Sequence, residues 1–317
     1  MRTIPFPGGD AMPALGLGTW KSAPGEVGAA VREAVRIGYR HIDCASIYGN
    51  EREIGTALAA AIADGDVTRA ELWITSKLWC DRHAKKHVAP ALKQTLEDLQ
   101  LDYLDLYLVH WPIALKKGKL MPERAKDLIP LDKLPLAETW QGMEAAQQAG
   151  LTRQIGVSNL SVKKLRALCE TATVRPSMNQ VELHPYLAQL ELLSTCSELG
   201  VGLTAYSPLG SQDRPEALRV EGERNLLADP LVIEIAEGIG ATPAQVLLAW
   251  ALQRGTAVIP KSVNPGRLAE NLAAAELTLG PMDRQRLGAL DAHRRYVTGD
   301  FWAVSGGPYT LANLWDE

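Results

Sequence analysis

The chain has no apolar run of the roughly 18–20 residues that a membrane-crossing helix needs. Its first residues, Met1-Arg2-Thr3-Ile4-Pro5, lack the charged-then-apolar layout of a secretory signal. Cysteine is sparse. Cys44, Cys80, Cys169 and Cys196 lie far apart with no C-x-x-C spacing, so neither a disulfide framework nor a zinc site is expected. Reduced thiols in a cytoplasmic protein are the expectation, and no metal. Asn159-Leu160-Ser161 fits the glycosylation pattern, but without a secretory signal it is a false match. There is no basic excess: the net charge is -4, which gives no reason to expect nucleic acid or an anionic membrane as partner. No internal repeat or low-complexity segment stands out. A dinucleotide fingerprint is missing as well, because Gly16-Leu17-Gly18-Thr19-Trp20-Lys21 lacks the third glycine of G-x-G-x-x-G.

What is present is a globular composition, 46% hydrophobic and 22% charged over 317 residues. One stretch organises it, Tyr103-Leu104-Asp105-Leu106-Tyr107-Leu108-Val109-His110-Trp111-Pro112. It reads as a buried strand. Pro112 stops the ladder, which leaves His110 at a strand's carboxyl end. In parallel α/β folds that is where chemistry collects.

The flanking pattern alternates. Thr3–Phe6 and Met12–Leu15 flank Gly8-Gly9-Asp10 and read as a hairpin. Strands are expected at Leu15–Thr19, His41–Ala45, Leu72–Lys77, Tyr103–His110, Gln154–Asn159, Ser177–Leu183, Gly202–Tyr206 and Ala257–Lys261. Helices follow at Pro24–Ile37, Glu51–Ala63, His87–Leu99, Ala137–Ala149, Ser161–Glu170, Gln189–Leu199, Pro230–Ile239, Pro243–Arg254 and Pro265–Ala275, with an extra one at Pro281–Ala292. A basic, proline-containing loop runs to Pro135, a polar loop runs to Ala228, and the tail from His293 is irregular and aromatic. Eight β-α units without a linker predict one (β/α)8 TIM barrel over residues 1–317. Residues 1–14 would plug its amino-terminal mouth. Extra helices and loops follow strands 7 and 8, and residues 293–317 lie at the pocket. An open doubly wound sheet is the alternative, disfavoured by the missing glycine.

Four polar residues fall at one mouth: Asp43 on the second strand, Tyr48 in the loop after it, Lys77 ending the third and His110 ending the fourth. Singly, each has an ordinary packing or surface role as its alternative. Together they suit proton transfer. A phenol is a poor acid near neutrality, and an ammonium beside it eases proton donation. Asp43 can supply the counter-charge that a buried lysine needs. A neutral histidine can polarise a carbonyl. None of them delivers a hydride, so a cofactor is implied. Ile259-Pro260-Lys261-Ser262-Val263-Asn264-Pro265-Gly266-Arg267 joins two cations and a hydroxyl to a helix start, a phosphate-binding arrangement. The arginine fork suits a monoester such as the 2′-phosphate of NADP. A well-capped helix with a solvated edge is the alternative. Tyr206 could stack on a flat ring such as nicotinamide.

Three motifs, in order, carry a resemblance: Gly38-Tyr39-Arg40-His41-Ile42-Asp43 with Tyr48-Gly49-Asn50-Glu51; Leu101-Asp102-Tyr103-Leu104-Asp105-Leu106 through His110-Trp111-Pro112; and Ile259-Pro260-Lys261-Ser262 with Arg267, Glu270 and Asn271. The chain resembles the aldo-keto reductases over nearly its full length, in the aldose and aldehyde reductase branch. The resemblance implies Tyr48 as general acid, Lys77 and Asp43 as its tuners and His110 as the carbonyl-orienting donor. It gives Ser158, Asn159 and Gln180 the nicotinamide carboxamide, and Tyr206 the ring. Ser207, Leu209, Ser211 and Asp213 would line the pyrophosphate channel. Lys261, Ser262, Asn264 and Arg267 would hold the 2′-phosphate side, with Glu270 and Asn271 at the adenine. Gly18, Thr19, Trp20, Asp43 and Val263 complete the expected cofactor contacts. The cofactor implied is NADPH/NADP+, with NADH weaker, and the expected state is a monomer.

Two segments depart from the family pattern. The mammalian-type branch usually has Pro-Asp-Arg-Pro-Trp where this chain has Gln212-Asp213-Arg214-Pro215-Glu216. The tail from Asp300-Phe301-Trp302 onward also differs from mammalian tails. Trp20, Trp79, Trp111 and Trp302 are expected to line an apolar pocket, whereas Trp73, Trp140 and Trp250 read as core. Aromatic and medium-chain aldehydes come first as substrates and aldoses second. Two other readings stand beside the reductase: an NADP(H)-binding redox-sensing module with little turnover, and an unrelated barrel isomerase or lyase using Lys77. The last needs a neutral amine, which Asp43 would oppose.

Overall fold

A computed structural model describes residues 2–6, 8–212, 214–216, 219 and 222–317. Strands β1 (Thr3–Pro5) and β2 (Ala11–Pro13) pair antiparallel, Ile4 opposite Met12, across a turn in which Gly8 and Gly9 both take φ +91°. Phe6 stacks on Trp73, ring centroids 5.3 Å apart, and Asp10 bonds Gln154 at 2.8 Å and pairs with Arg153. These partners lie at or near the amino ends of barrel strands, so the hairpin closes that mouth.

The alternation then runs β3 (Leu17–Gly18), α1 (Val27–Ile37), β4 (His41–Asp43), α2 (Glu51–Ala63), β5 (Trp73–Leu78), α3 (Lys85–Leu99) and β6 (Leu104–Val109). A small antiparallel pair follows, β7 (Ala114–Leu115) with β8 (Leu128–Ile129). The second half is α4 (Leu136–Gln148), β9 (Thr152–Ser158), α5 (Val162–Thr171), β10 (Met178–Glu182), α6 (Leu190–Leu199), β11 (Gly202–Tyr206), α7 (Pro230–Ile239), α8 (Pro243–Gln253), β12 (Ala257–Val258) and α9 (Pro265–Ala273). The helices α10 (Pro281–Gly288) and α11 (Leu311–Trp315) complete the chain. Eight strands lie side by side in the order β12-β11-β10-β9-β6-β5-β4-β3. Parallel bridges from Leu15 to Val258 and from Gly18 to Lys261 close the sheet on itself. Gly18 is required at that seam, since a Cβ there would fall 2.6 Å from the Ile259 carbonyl oxygen.

Burial explains the apolar runs. β5 and β6 are buried at every position, as expected of strands covered by helices on one face and by barrel interior on the other. Asp105 is tolerated inside β6 because its carboxylate accepts from the Ile74 amide at 2.8 Å and pairs with Arg69 at 2.8 Å. On α1, Val27, Ala30, Val31, Ala34 and Val35 form the buried stripe, and Gly38 at φ 112° ends the helix. Trp73, Trp140 and Trp250 are core residues.

Several elements differ from the sequence expectation, among them β3, β12 and α10, which are shorter than expected. α1 begins at Val27 rather than Pro24, because Gly25 sits at φ +86°. Glu53 on α2 accepts the Gly25 and Gly28 amides at 2.9 and 2.7 Å, capping this start from outside. The loop to Pro135 contains β7 and β8, fixed by the Tyr309 hydroxyl, which accepts from the Ala114 amide at 3.0 Å and donates to the Ile129 carbonyl at 2.6 Å. The tail is not irregular throughout: Thr310 and Asn313 form a reciprocal cap that starts α11. Among the described residues no single helix is long and apolar enough to cross a membrane.

Candidate active site

Asp43 is the last residue of β4, and the chain then turns through a short 3-10 segment, Ser46–Tyr48, that brings Tyr48 back over the barrel mouth. Gly49, at φ 70°, ends that turn. Lys77 is the penultimate residue of β5, and His110 follows β6 directly. All four residues expected at this mouth are therefore at the carboxyl ends of neighbouring strands.

Lys77 has no exposed side-chain surface, and its ammonium is fully engaged. It pairs with Asp43 Oδ1 and donates to the Cys44 carbonyl at 2.8 Å and to the Tyr48 hydroxyl oxygen at 3.4 Å. An ammonium has three protons and no acceptor, so these contacts use all of them. The Tyr48 oxygen accepts from Lys77, which leaves its own proton to point elsewhere. Asp43 is held in turn by Gln180 Nε2 at 2.7 Å on its other oxygen, and its carbonyl accepts the Thr19 hydroxyl at 2.7 Å.

The titration behaviour follows from these contacts. Burial pushes the Tyr48 phenol up to about 12, with Lys77 pulling the other way. Burial also pulls on the Lys77 ammonium, but Asp43 and Tyr48 outweigh it and hold it above its ordinary value. His110 is held well below the usual imidazole range by burial, then by Lys77 and His83. Near neutrality the site thus holds a protonated phenol, a charged lysine and a neutral imidazole. The His110 ring stands edge-on to Tyr48 (centroids 5.8 Å) and to Trp79 (5.1 Å), and its Nδ1 is buried.

Beneath this group Glu51, at the start of α2, accepts from the Ser76 and Thr95 hydroxyls. Burial pushes its carboxyl from 4.5 up to about 7, although both hydroxyl bonds oppose this. The folded protein therefore keeps a proton that the unfolded chain releases. Stability should fall as pH rises from 4.5 toward 7 and then level off, by roughly 3 kcal/mol at 1.36 kcal/mol per pH unit. Glu51→Gln should flatten this slope in denaturant titrations at several pH values; an unchanged slope would place its origin elsewhere.

A cavity of about 680 Å³ opens at this mouth and runs from Tyr48 and His110 to Lys261 and Arg267. Its wall includes Gly18, Thr19, Trp20, Asp43, Trp79, Trp111, Ser158, Asn159, Gln180, Tyr206, Ser207, Leu209, Ser211, Ser262, Val263 and Asn264. Lys77 lies one layer below. Asn159, at φ 63°, donates from Nδ2 to the His110 carbonyl at 2.9 Å and accepts the Tyr206 hydroxyl at 2.8 Å. Ser158 Oγ donates to the Gln180 carbonyl at 2.7 Å. At the far end Asn264 caps α9 by accepting the Arg267 amide at 3.0 Å, with Pro265 in the first turn.

Several expected positions are not on this wall. Trp302 is fully buried behind it, 5.7 Å from Trp79 and 5.9 Å from Trp111 by ring centroids, and the preceding residue Phe301 lines the cavity instead. Glu270 is turned away, its carboxylate accepting the Thr242 hydroxyl at 2.7 Å, and Asn271 is buried off the cavity. Asp213 lies outside the described residues. Sequence reasoning missed Lys21, Ile47, Met121, Leu227 and Val297, all on the wall. Lys21 donates to Ser211 at 3.1 Å, joining the loop after β3 to the loop after β11. Among the described residues no cluster of three or more His, Cys, Asp or Glu is arranged to hold a metal ion, and the four cysteines are free thiols.

A closed (β/α)8 barrel with a Tyr-Lys-Asp-His group at its carboxyl mouth belongs to a family that comparison with known proteins identifies. The Aldo/keto reductase family pattern matches residues 14–292, and the chain belongs to that family of oxidoreductases. It is 54% identical over 317 residues to an aldo/keto reductase of Synechocystis sp., covering 100% of this chain and 97% of that protein. It is 48% identical over 291 residues to aldo-keto reductase family 1 member A1 of Homo sapiens, covering 91% of this chain and 89% of that protein. The fold is similar to the aldose reductase of Schistosoma japonicum, with TM-score 0.87, 38% identity and coverage of 96% and 97% of the two chains. It is also similar to the Bombyx mori aldo-keto reductase in complex with NADP, with TM-score 0.85, 35% identity and coverage of 95% and 96%.

Proposed function

We propose that this protein is an NADPH-dependent reductase of aldehydes and ketones, with Tyr48 as the proton donor and neutral, apolar aldehydes as preferred substrates. The observation that carries the reading is the fully committed Lys77 ammonium, bonded to Asp43 and to the Tyr48 oxygen at the floor of the cavity.

The donor set fits a nicotinamide dinucleotide phosphate. Ser158, Asn159 and Gln180 offer hydroxyl and amide groups beside His110, suited to a carboxamide, and Tyr206 supplies a flat face next to them. Ser207, Leu209 and Ser211 line the middle of the cavity, where a pyrophosphate would lie. Lys261, Ser262 and Arg267 cluster at the amino end of α9, where the positive helix end and the two cations favour a phosphate monoester.

When bound, the cofactor supplies the hydride. His110, neutral, donates a hydrogen bond to the carbonyl oxygen and orients it toward Tyr48. Tyr48 gives up its proton as negative charge develops on that oxygen, and Lys77 stabilises the phenolate that remains. Asp43 and Gln180 hold Lys77 in line. Trp20, Trp79 and Trp111 exclude water from the reacting oxygen. A cytoplasmic, monomeric enzyme completes the reading.

The substrate end is mostly apolar: apart from Tyr48, His110 and the indole N–H groups of Trp20 and Trp111, its walls are Ile47, Trp79, Met121, Val297, Phe301 and the tryptophan rings. A sugar's hydroxyls would lose water there with few partners, at about 1–3 kcal/mol for each unsatisfied group. Absorbance assays of NADPH consumption should therefore give an aromatic or medium-chain aldehyde a kcat/KM at least about tenfold above an aldopentose. Equal values would contradict the apolar-substrate assignment. NADPH binding with no turnover on any carbonyl would favour a redox-sensing module instead. In the same assays Arg267→Ala should weaken NADPH about tenfold or more, the size of a lost charged hydrogen bond, and leave NADH nearly unchanged. Equal losses for both would mean that Arg267 does not meet the 2′-phosphate.

A further inference from the structure

Tyr296 stands where the two ends of the cavity are joined from behind. It lies near the start of the tail and is fully buried. Its amide donates to Glu182 Oε1 at 2.6 Å, and the next amide, Val297, donates to Glu182 Oε2 at 2.8 Å. Glu182 ends β10 and is buried, with His184 Nε2 also on Oε1 at 2.8 Å. Burial alone would raise this carboxyl, but its bonds to His184 and the two amides outweigh that and hold it below its ordinary value. It is therefore a charged anchor for the tail. Val297 and, four residues on, Phe301 form the substrate wall.

The Tyr296 side chain reaches the other way, into the loop after β11. Its hydroxyl donates to the Arg224 carbonyl at 2.8 Å. The buried Arg214 guanidinium sits over its ring at 5.0 Å and pairs with Glu223. Gly210, at φ +84°, packs so closely that a Cβ there would come 3.2 Å from the ring. The same loop presents Ser207, Leu209 and Ser211 to the cofactor end.

We propose that Tyr296 is a positioning residue that couples the loop over the cofactor end to the tail wall over the substrate end, so that nucleotide binding sets the substrate pocket. One residue belongs to the tail by its backbone, which the buried Glu182 carboxylate holds, and to the loop by its side chain. A nucleotide that contacts Ser207, Leu209 and Ser211 then also restricts Val297 and Phe301 through Tyr296. By linkage, whatever orders the tail tightens nucleotide binding. This inference rests on the reading that the cavity takes NADP(H).

The test uses Tyr296→Phe, which keeps the ring packing and removes only the bond to Arg224. Nucleotide binding is followed by fluorescence, and amide exchange is followed in peptides from the loop and from 294–304. In the wild type, NADPH should slow exchange in both segments. In Tyr296→Phe the loop should still be protected by NADPH, while most of the tail protection is lost. KM for the aldehyde should rise about three- to tenfold, the size of one lost hydrogen bond, with kcat at saturating NADPH nearly unchanged. A role confined to folding would lower thermal stability without separating KM from kcat. Glu182→Gln, which weakens the anchor rather than the link, should speed tail exchange with and without NADPH. Tail protection that is absent in the wild type despite bound NADPH, or unchanged in Tyr296→Phe, would overturn the coupling. Wild-type tail exchange in Glu182→Gln would overturn the anchor. Failure of NADPH to bind at all, seen directly in the fluorescence titration, would overturn the functional reading and the coupling with it.

Discussion

Tyr48→Phe is expected to bind NADPH with nearly unchanged affinity and to lose most of its turnover. The substitution removes one oxygen and keeps the ring that packs against Trp20 and His110, with centroids at 6.4 and 5.8 Å. What disappears is the only proton that the site offers on a group touched by Lys77. Burial keeps the phenol protonated at about 12, so the donor is loaded throughout the neutral range. Its contribution becomes large only as the carbonyl oxygen turns into an alkoxide. General acid catalysis accounts for about 10²–10⁴-fold, and kcat should fall by that factor while the nucleotide Kd moves little. His110 and water could sustain only a residual rate. Loss of nucleotide binding in this variant would mean that Tyr48 acts through the pocket's shape rather than through its proton.

Lys77→Met should cost both rate and stability, and the two losses can be separated. Removing the ammonium leaves Asp43 buried with its lysine partner gone and only Gln180 on its side chain. Breaking a buried pair from one side costs about 3–5 kcal/mol. The rate should fall by at least about 10²-fold, because the phenolate left by proton transfer would lose its counter-charge. The double variant Asp43→Asn/Lys77→Met distinguishes the effects. It leaves no buried charge without a partner, so denaturant titration should show much of the stability restored. The rate, measured where both variants are folded, should stay low. Recovery of rate together with stability would reduce Lys77 to a structural role.

These two variants concern the part of the site most legible in the sequence. The strand–helix alternation fixes which residues end strands, and in a closed parallel barrel all such ends share one mouth. Asp43, Lys77 and His110 could thus be brought together without coordinates. The cap at Asn264 and Pro265 was legible for a similar reason, because helix starts are written locally. The pocket wall was not local. Leu120 and Met121 are placed by a bond from the Trp79 indole to the Leu120 carbonyl, 41 residues apart in sequence at 2.8 Å. Val297 is placed by Glu182, 115 residues away in sequence. Trp302 shows the same limit. Its composition suited a pocket, but the turn Asp300–Trp302 points Phe301 to the cavity and packs Trp302 into a second apolar cluster behind it. Lys21 carried no local signal either, since its contact with Ser211 spans 190 residues. Glu270 matched a family motif, yet Thr242 at the start of α8 captures its carboxylate.

The most direct test of the Tyr48–Lys77 relay is a single turnover of the NADPH-loaded protein with a medium-chain aldehyde, followed by loss of nucleotide absorbance in the wild type and in Tyr48→Phe. A fast wild-type transient that slows by about 10²-fold or more in the variant, with the nucleotide still bound, is the expected result. Equal transients in the two proteins would contradict proton donation by Tyr48.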